Sequence, residues 1–265
     1  MDEVKPDEIL IKGIYLLEAG DVRAARSELE AYVLKNQNDP DGFFFLGEAL
    51  AEDTCIDEAI AAYREGLKLK PEDINALTSC GDLLFESGRC DEAIATYSEA
   101  LICAPDDADI FVSIGLVHLN QKRNEKAVEL FRRALEVEPE SVFAWNALGD
   151  SLFEQNNVDG AKEAYCRAVA IDSDDPAAHF NLAELYYSAE ELEKAEEECL
   201  IAVKLDPLFS MPYLTLGGIC MDQERLEESI RYFQLYLKYE KSPQATEMTR
   251  EVEAVVEGLK EELKA

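Results

Sequence analysis

The sequence predicts an all-α fold, a solenoid of helix–turn–helix repeats closed by a C-terminal capping helix. Three observations carry that expectation. The stretches CGDLLFESGRC and LGDSLFEQNNV share Gly-Asp-x-Leu-Phe-Glu, and 68 residues, twice 34, separate Gly81 from Gly149. The same period of 34 fits seven consecutive frames without an insertion. Within a frame, apolar residues recur at helical spacing over one half and then over the other.

The frames run over residues 6–39, 40–73, 74–107, 108–141, 142–175, 176–209 and 210–243. Their eighth place holds Gly13, Gly47, Gly81, Gly115, Gly149, Ala183 and Gly217. The twentieth holds Ala25, Ala59, Ala93, Ala127, Ala161, Ala195 and Ser229. A large residue comes at the twenty-fourth in most frames: Leu29, Tyr63, Tyr97, Phe131, Tyr165 and Phe233, with Cys199 in the sixth.

Each part of a frame has a physical reason. The first helix carries one apolar stripe, as in Phe43, Leu46 and Leu50 or Trp145, Leu148 and Leu152. A break such as ESGRC or EQNNV follows. Asp57, Asp91 and Asn124 are expected to cap second helices, whose first turns favour acids. Small residues at the eighth and twentieth places let the two helices approach; a larger group would overpack them by about 1–3 kcal/mol. Pro71, Pro105, Pro139 and Pro207 end second helices, because proline disfavours helix at the residue before it. One hairpin cannot bury its apolar face alone, so neighbours must stack. The end frames depart from the pattern: Lys12 and Gln37 in the first, Ser229, Tyr236 and Lys241 in the last. After Pro243, residues 244–265 read as one more amphipathic helix, with Met248, Val252, Val255 and Leu259 on its apolar side.

This pattern resembles the tetratricopeptide repeat family, whose signature is W-x2-L-G-x2-Y…A-x3-F…P. The frame from Trp145, WNALGDSL…AKEAYCRA, is especially similar. The resemblance covers residues 6 to 243. It implies a right-handed superhelical solenoid whose first helices line a concave groove, with a C-terminal helix solvating the last repeat. It implies a protein–protein interaction scaffold or adaptor and leaves the partner open.

Composition narrows the partner. The chain of 265 residues has 57 acidic and 25 basic residues, a formal net charge of −32. Nucleic-acid backbones and anionic membranes attract Lys and Arg, so neither is expected as a partner; such a charge favours basic ones. The acidic start, MDEVKPDEIL, lacks the pattern of a signal peptide, and no apolar run reaches the roughly 18 residues a bilayer span needs. Seven cysteines, an odd number without a C-x-x-C pair, fit reduced thiols. A cytoplasmic location is expected.

By the family analogy, the second, fifth, sixth, ninth, twelfth and thirteenth places face a ligand. Glu48, Glu52, Asp82, Glu86, Asp150, Glu154 and Glu184 then form an acidic face. Packed helices would space the acids about 10 Å apart, which an extended peptide covers in about three residues. The expected ligand is a basic or amphipathic peptide segment. Val112 and Leu116 interrupt the acids with an apolar patch that could seat an anchor, and Phe85, Phe153, Phe180 and Asn181 also take groove places, as do Phe44, Phe45 and Tyr187. The basic clamp of co-chaperone members is not matched. Asn146 and Asp150 stand where it needs Lys and Asn, and Met211 and Thr215 where it needs Lys and Arg. The alternative function is a self-assembling homo-oligomeric scaffold using the end repeats and C-terminal helix.

No catalytic residue, metal ligand set or cofactor is expected. His118 and His179 take places that are usually large and apolar. Cys80, Cys199 and Cys220 fall at core places, whereas Cys55, Cys90, Cys103 and Cys166 fall nearer surfaces without an evident His or Lys to activate them. APDDADI and IDSDDPA lack the spacing of a calcium loop and read as helix caps. The common nucleotide, hydrolase and zinc-protease motifs are missing.

Overall fold

The computed structural model describes residues 6–242 and 245–264, and their regular structure is helical. Pro243, taken above as the end of the last frame, and Gln244, the start of the C-terminal segment, lie outside the described residues, as do residues 1–5 and 265. The chain forms two compact units, Met1–Val137 and Glu138–Ala265.

The first unit holds four antiparallel pairs. They are α1 (Pro6–Glu18) with α2 (Val22–Lys35), α3 (Pro40–Glu52) with α4 (Ile56–Leu69), α5 (Ile74–Glu86) with α6 (Cys90–Cys103), and α7 (Ala108–Asn120) with α8 (Asn124–Val137). The second holds α9 (Val142–Glu154) with α10 (Val158–Ile171), α11 (Pro176–Ser188) with α12 (Leu192–Leu205), α13 (Met211–Asp222) with α14 (Leu226–Tyr239), and the unpaired α15 (Thr246–Glu262).

Two kinds of turn set these boundaries. Five first helices start on side-chain caps: Asp39, Asp73, Asp107, Ser141 and Asp175 accept bonds from backbone N–H groups two or three residues on, whereas Ser210 before α13 makes none. The acids of APDDADI and IDSDDPA thus include two caps, Asp107 and Asp175. Second helices start differently. Gly20, Thr54, Gly88, Lys122, Asn156, Glu190 and Glu224 are left-handed, with φ between 58° and 78°. The next N–H then bonds a carbonyl five residues back, as from Cys55 to Leu50 at 2.8 Å. This closure leads straight into the second helix. The capping expectation for Asp57, Asp91 and Asn124 is therefore corrected. Asp57 and Asp91 sit in the first turns of α4 and α6, where Cys55 and Arg89 hold the cap positions without a side-chain bond, and Asn124 is the first residue of α8. Asp21 and Asn157 do cap, through the N–H groups of Ala24 and Gly160.

The contact inside a pair explains the eighth place. A Cβ on Gly81 would come 2.5 Å from the Tyr97 ring, and one on Gly149 2.3 Å from the Tyr165 ring. In the sixth frame the larger Ala183 is matched by the smaller Cys199, and both are fully buried. Ser229, polar where the other frames have alanine, is buried and donates to the Gly217 carbonyl at 2.8 Å.

The apolar stripe of α15 is Val252, Val256 and Leu259, which join Phe233 and Tyr236 in one core. Met248 and Val255, placed on that stripe from the sequence, are exposed. The contact with α14 keeps the expected Val252 and Leu259 and takes Val256 in place of Val255.

Candidate functional site

The repeated Asp-x-x-x-Glu pairs acquire a partner in the folded hairpin. The Tyr97 hydroxyl donates to Asp82 Oδ1 at 2.5 Å, and that of Tyr165 to Asp150 Oδ1 at 2.7 Å. The acid is on the first helix and the tyrosine on the second, at the ninth and twenty-fourth places. Other frames keep the chemistry matched. Glu48 shares its frame with Tyr63, whereas Ile14, Leu116 and Gly218 share theirs with Leu29, Phe131 and Phe233. In the sixth frame Cys199 offers no hydroxyl, and Glu184 instead accepts from Thr215 Oγ1 at 2.6 Å. Burial pushes the Asp150 carboxyl above its ordinary range, with the Glu154 charge adding to the rise and the Tyr165 bond opposing it. Burial and the facing carboxylate push the Tyr97 and Tyr165 phenols far up.

The remaining groove residues are distributed unevenly. Glu48, Glu52, Glu86 and Glu154 are exposed. Phe85, Leu116, Phe180, Asn181 and Glu184 are half-buried. Phe153 is 37% exposed, but Val112 only 4%, so Val112 offers a ligand little surface and the apolar patch reduces to Leu116. In the second unit, Phe180 meets Phe209 edge to face at 5.2 Å, and the Tyr187 hydroxyl donates to Asp222 at 2.8 Å.

In the first unit two cavities open on the first helices. One, of about 270 Å³, is lined by Ile14, Leu17 and Glu18 of α1 and Phe45, Glu48 and Glu52 of α3. The other, of about 480 Å³, is lined by Asp41, Phe44, Phe45, Glu48, Tyr63, Asp73, Asn75, Ala76 and Ser79. Glu48 borders both. Although the residue is exposed, partial desolvation at the cavity walls pushes its carboxyl up, as do the charges of Glu52 and Glu18. Burial also pushes the Tyr63 phenol up, to about 12. Asp82, Phe85 and Glu86 line neither cavity. Asp41 takes a second place, one of those expected to face a ligand, but was not named among the acids. Tyr63 was not singled out as ligand-facing; the available signal was Gly66, which stands where four other frames have alanine and where a Cβ would lie 2.4 Å from the Phe44 ring.

Both histidines and three of the seven cysteines are buried. Burial, then Lys126 and Arg123, lower the pKa of the buried His118. His179 is more than a packing residue: its ring nitrogens face Glu198 at 2.6 Å and the Ser173 carbonyl at 3.1 Å. Cys80, Cys199 and Cys220 are buried, and burial pushes their thiols up, that of Cys220 to about 11. Cys55 has a cationic neighbour unseen in the sequence, Arg26, whose Nη1 lies 3.1 Å from its sulfur and 2.9 Å from Asp53. Among the described residues no group of three or more His, Cys, Asp or Glu is placed to hold a metal ion, and no helix is long and apolar enough to cross a membrane.

Comparison with known proteins adds the following. A family model described as tetratricopeptide repeat matches residues 12–74 and 78–142, and one described as TPR repeat matches 149–190. No curated protein matches the chain. Among solved structures, a tetratricopeptide repeat protein from Parabacteroides merdae superposes with a TM-score of 0.79 at 20% identity, covering 95% of this chain and 98% of that one. PilF of Pseudomonas aeruginosa gives 0.63 at 21% identity, over 78% and 94%. YrrB, described as a TPR protein with an unusual peptide-binding site, gives 0.53 at 21% identity, over 69% and 95%. At these identities the likeness is one of fold.

Proposed function

We propose that this chain, which belongs to the tetratricopeptide repeat family, binds a basic or amphipathic peptide segment of a partner protein along an acidic face of its first helices. The family fold is a non-catalytic scaffold for protein–protein interaction, and that coarser role is the chain's. We divide the chain into seven repeats over residues 6–243 and a solvating helix over 244–265. The proposed contact residues are Glu48, Glu52, Asp82, Phe85, Glu86, Leu116, Asp150, Phe153, Glu154, Phe180, Asn181 and Glu184, with Val112 beneath the surface. A cytoplasmic setting fits the seven free thiols.

One observation carries the reading. The two cavities described above are lined by carboxylates and aromatic rings and, among the described residues, by no lysine or arginine. Such a surface attracts a cation and shelters an apolar neighbour. The test is fluorescence anisotropy with 12-residue peptides that differ only in Arg and Lys content. Affinity is expected to rise with basic residues, to fall with ionic strength, and to drop about tenfold in Glu48→Gln/Glu52→Gln/Glu86→Gln. Equal binding of neutral and basic peptides would refute the reading.

A second reading, self-assembly through the end repeats, is favoured by the first pair. Ile11, Tyr15 and Leu34 are 65%, 67% and 74% exposed there, more apolar surface than a solvated helix pair requires.

A further inference from the structure

We propose that the cavity between α3 and α5 is a pocket for one arginine side chain of the partner segment. This rests on the acidic-face reading and names the residue that such a segment must carry.

The cavity is built into the repeat. α1 packs against α3 and α5 against α7, but α3 and α5 approach each other less closely. Phe44 and Phe45 occupy the widened gap. Gly66, lacking a Cβ, lets the Phe44 ring lie against α4, where it stacks with Tyr63 at 6.4 Å and 24°. The result is an aromatic wall within a space of about 480 Å³, in the size range of pockets that enclose a small ligand.

The charges on this wall are of one sign. Asp73 is already engaged: it pairs with Lys70 at 2.8 Å and caps Ala76 at 3.0 Å. Glu48 has no ion pair among the described residues. Its carboxyl lies beside those of Glu52 and Glu18 at a partly desolvated position, and an entering cation relieves the like-charge repulsion and offsets the desolvation. Asp41 supplies a second carboxylate.

The combination selects guanidinium over ammonium. A planar guanidinium is weakly hydrated, stacks on aromatic faces and forks onto a carboxylate, whereas an ammonium is strongly hydrated and has no flat face. Arginine with its stem along Phe45 and its head between Phe44, backed by the buried Tyr63, and Glu48 uses each of these features.

The test is a titration of the full chain, with labelled Phe and Tyr rings, by N-acetyl-arginine methylamide followed by NMR. Saturable shifts are expected at Phe44, Phe45 and Tyr63. They should be missing with the neutral citrulline analogue, weakened tenfold or more in Glu48→Gln and in Phe45→Leu, and retained in Glu253→Gln, an exposed acid on α15. Equal shifts with citrulline, or full binding by folded Glu48→Gln, would overturn the pocket. A 12-residue peptide with one central arginine separates the two proposals. If the methylamide binds and the peptide binds no tighter, the groove reading fails and the pocket stands. If the peptide binds in a salt-sensitive way, unaffected by Glu48→Gln or by citrulline, the pocket fails and the groove stands.

Discussion

A tyrosine hydroxyl facing an aspartate is the smallest unit from which this chain is read. Asp150 is half-buried, and its carboxylate is held by Tyr165. Hydrogen bonds to charged groups contribute about 1.5–3 kcal/mol. Tyr165→Phe is therefore expected to destabilise the second unit by about that much in chemical denaturation. Asp150→Leu/Tyr165→Phe, which copies Leu116 and Phe131, should recover most of the loss. Glu48 has no such donor among the described residues, and its folded pKa is raised by partial desolvation, then by Glu52 and Glu18. A raised carboxylate contributes stability that is full below the ordinary carboxylate range and is lost as pH rises through the folded value. Glu48→Gln should thus be more stable than the wild type at pH 7, and thermal melts should show the gap closing as pH falls below about 4. The opposite trend would mean that an unseen cation neutralises Glu48.

At the scale of the helices, what the sequence made legible depended on recurrence. A glycine or alanine that returns every 34 residues marks the closest contact of each pair, and a large side chain that returns sixteen places later marks what it touches. The Asp82–Tyr97 bond was not legible, since fifteen residues separate the two and tyrosine at that place reads equally well as core. The caps of second helices were misread because a left-handed residue closes the turn through backbone alone. On the stripe of α15, Val252 and Leu259 were legible, but Val255 was read in place of Val256, because a period of 3.6 residues fits the two almost equally until α14 is present. That last point is testable. Val256→Asp should release α15, seen as faster amide exchange over 246–262, because it buries an unpaired charge. Val255→Asp, on an exposed position, should leave exchange unchanged. Of the candidate site, the acids and phenylalanines were legible as groove places, but the cavity that gathers Glu48, Phe44, Phe45 and Tyr63 depends on one glycine and a helix spacing.

For the whole molecule, charge and repetition act together. At −32 the chain repels its own copies, and at physiological ionic strength charges beyond roughly 8 Å are screened. Sedimentation velocity should separate the two functional readings. Association that grows as salt rises, and that Ile11→Lys/Tyr15→Lys abolishes, would support the end-repeat scaffold; a monomer at all salts would leave the peptide groove as the sole reading.

The placement of polar bonds also bears on how such a chain can be cut and recombined. Asp82–Tyr97 and Asp150–Tyr165 each begin and end inside one frame of 34 residues. Other polar bonds cross the joints between frames: Arg64 of the second pairs with Glu92 of the third at 2.7 Å, and Gln121 of the fourth donates to Asp91 of the third at 3.3 Å. Thr215–Glu184 and Tyr187–Asp222 likewise tie the sixth frame to the seventh. A shuffled array that parts two such neighbours keeps the wiring inside each frame but leaves severed threads on both sides of the new joint.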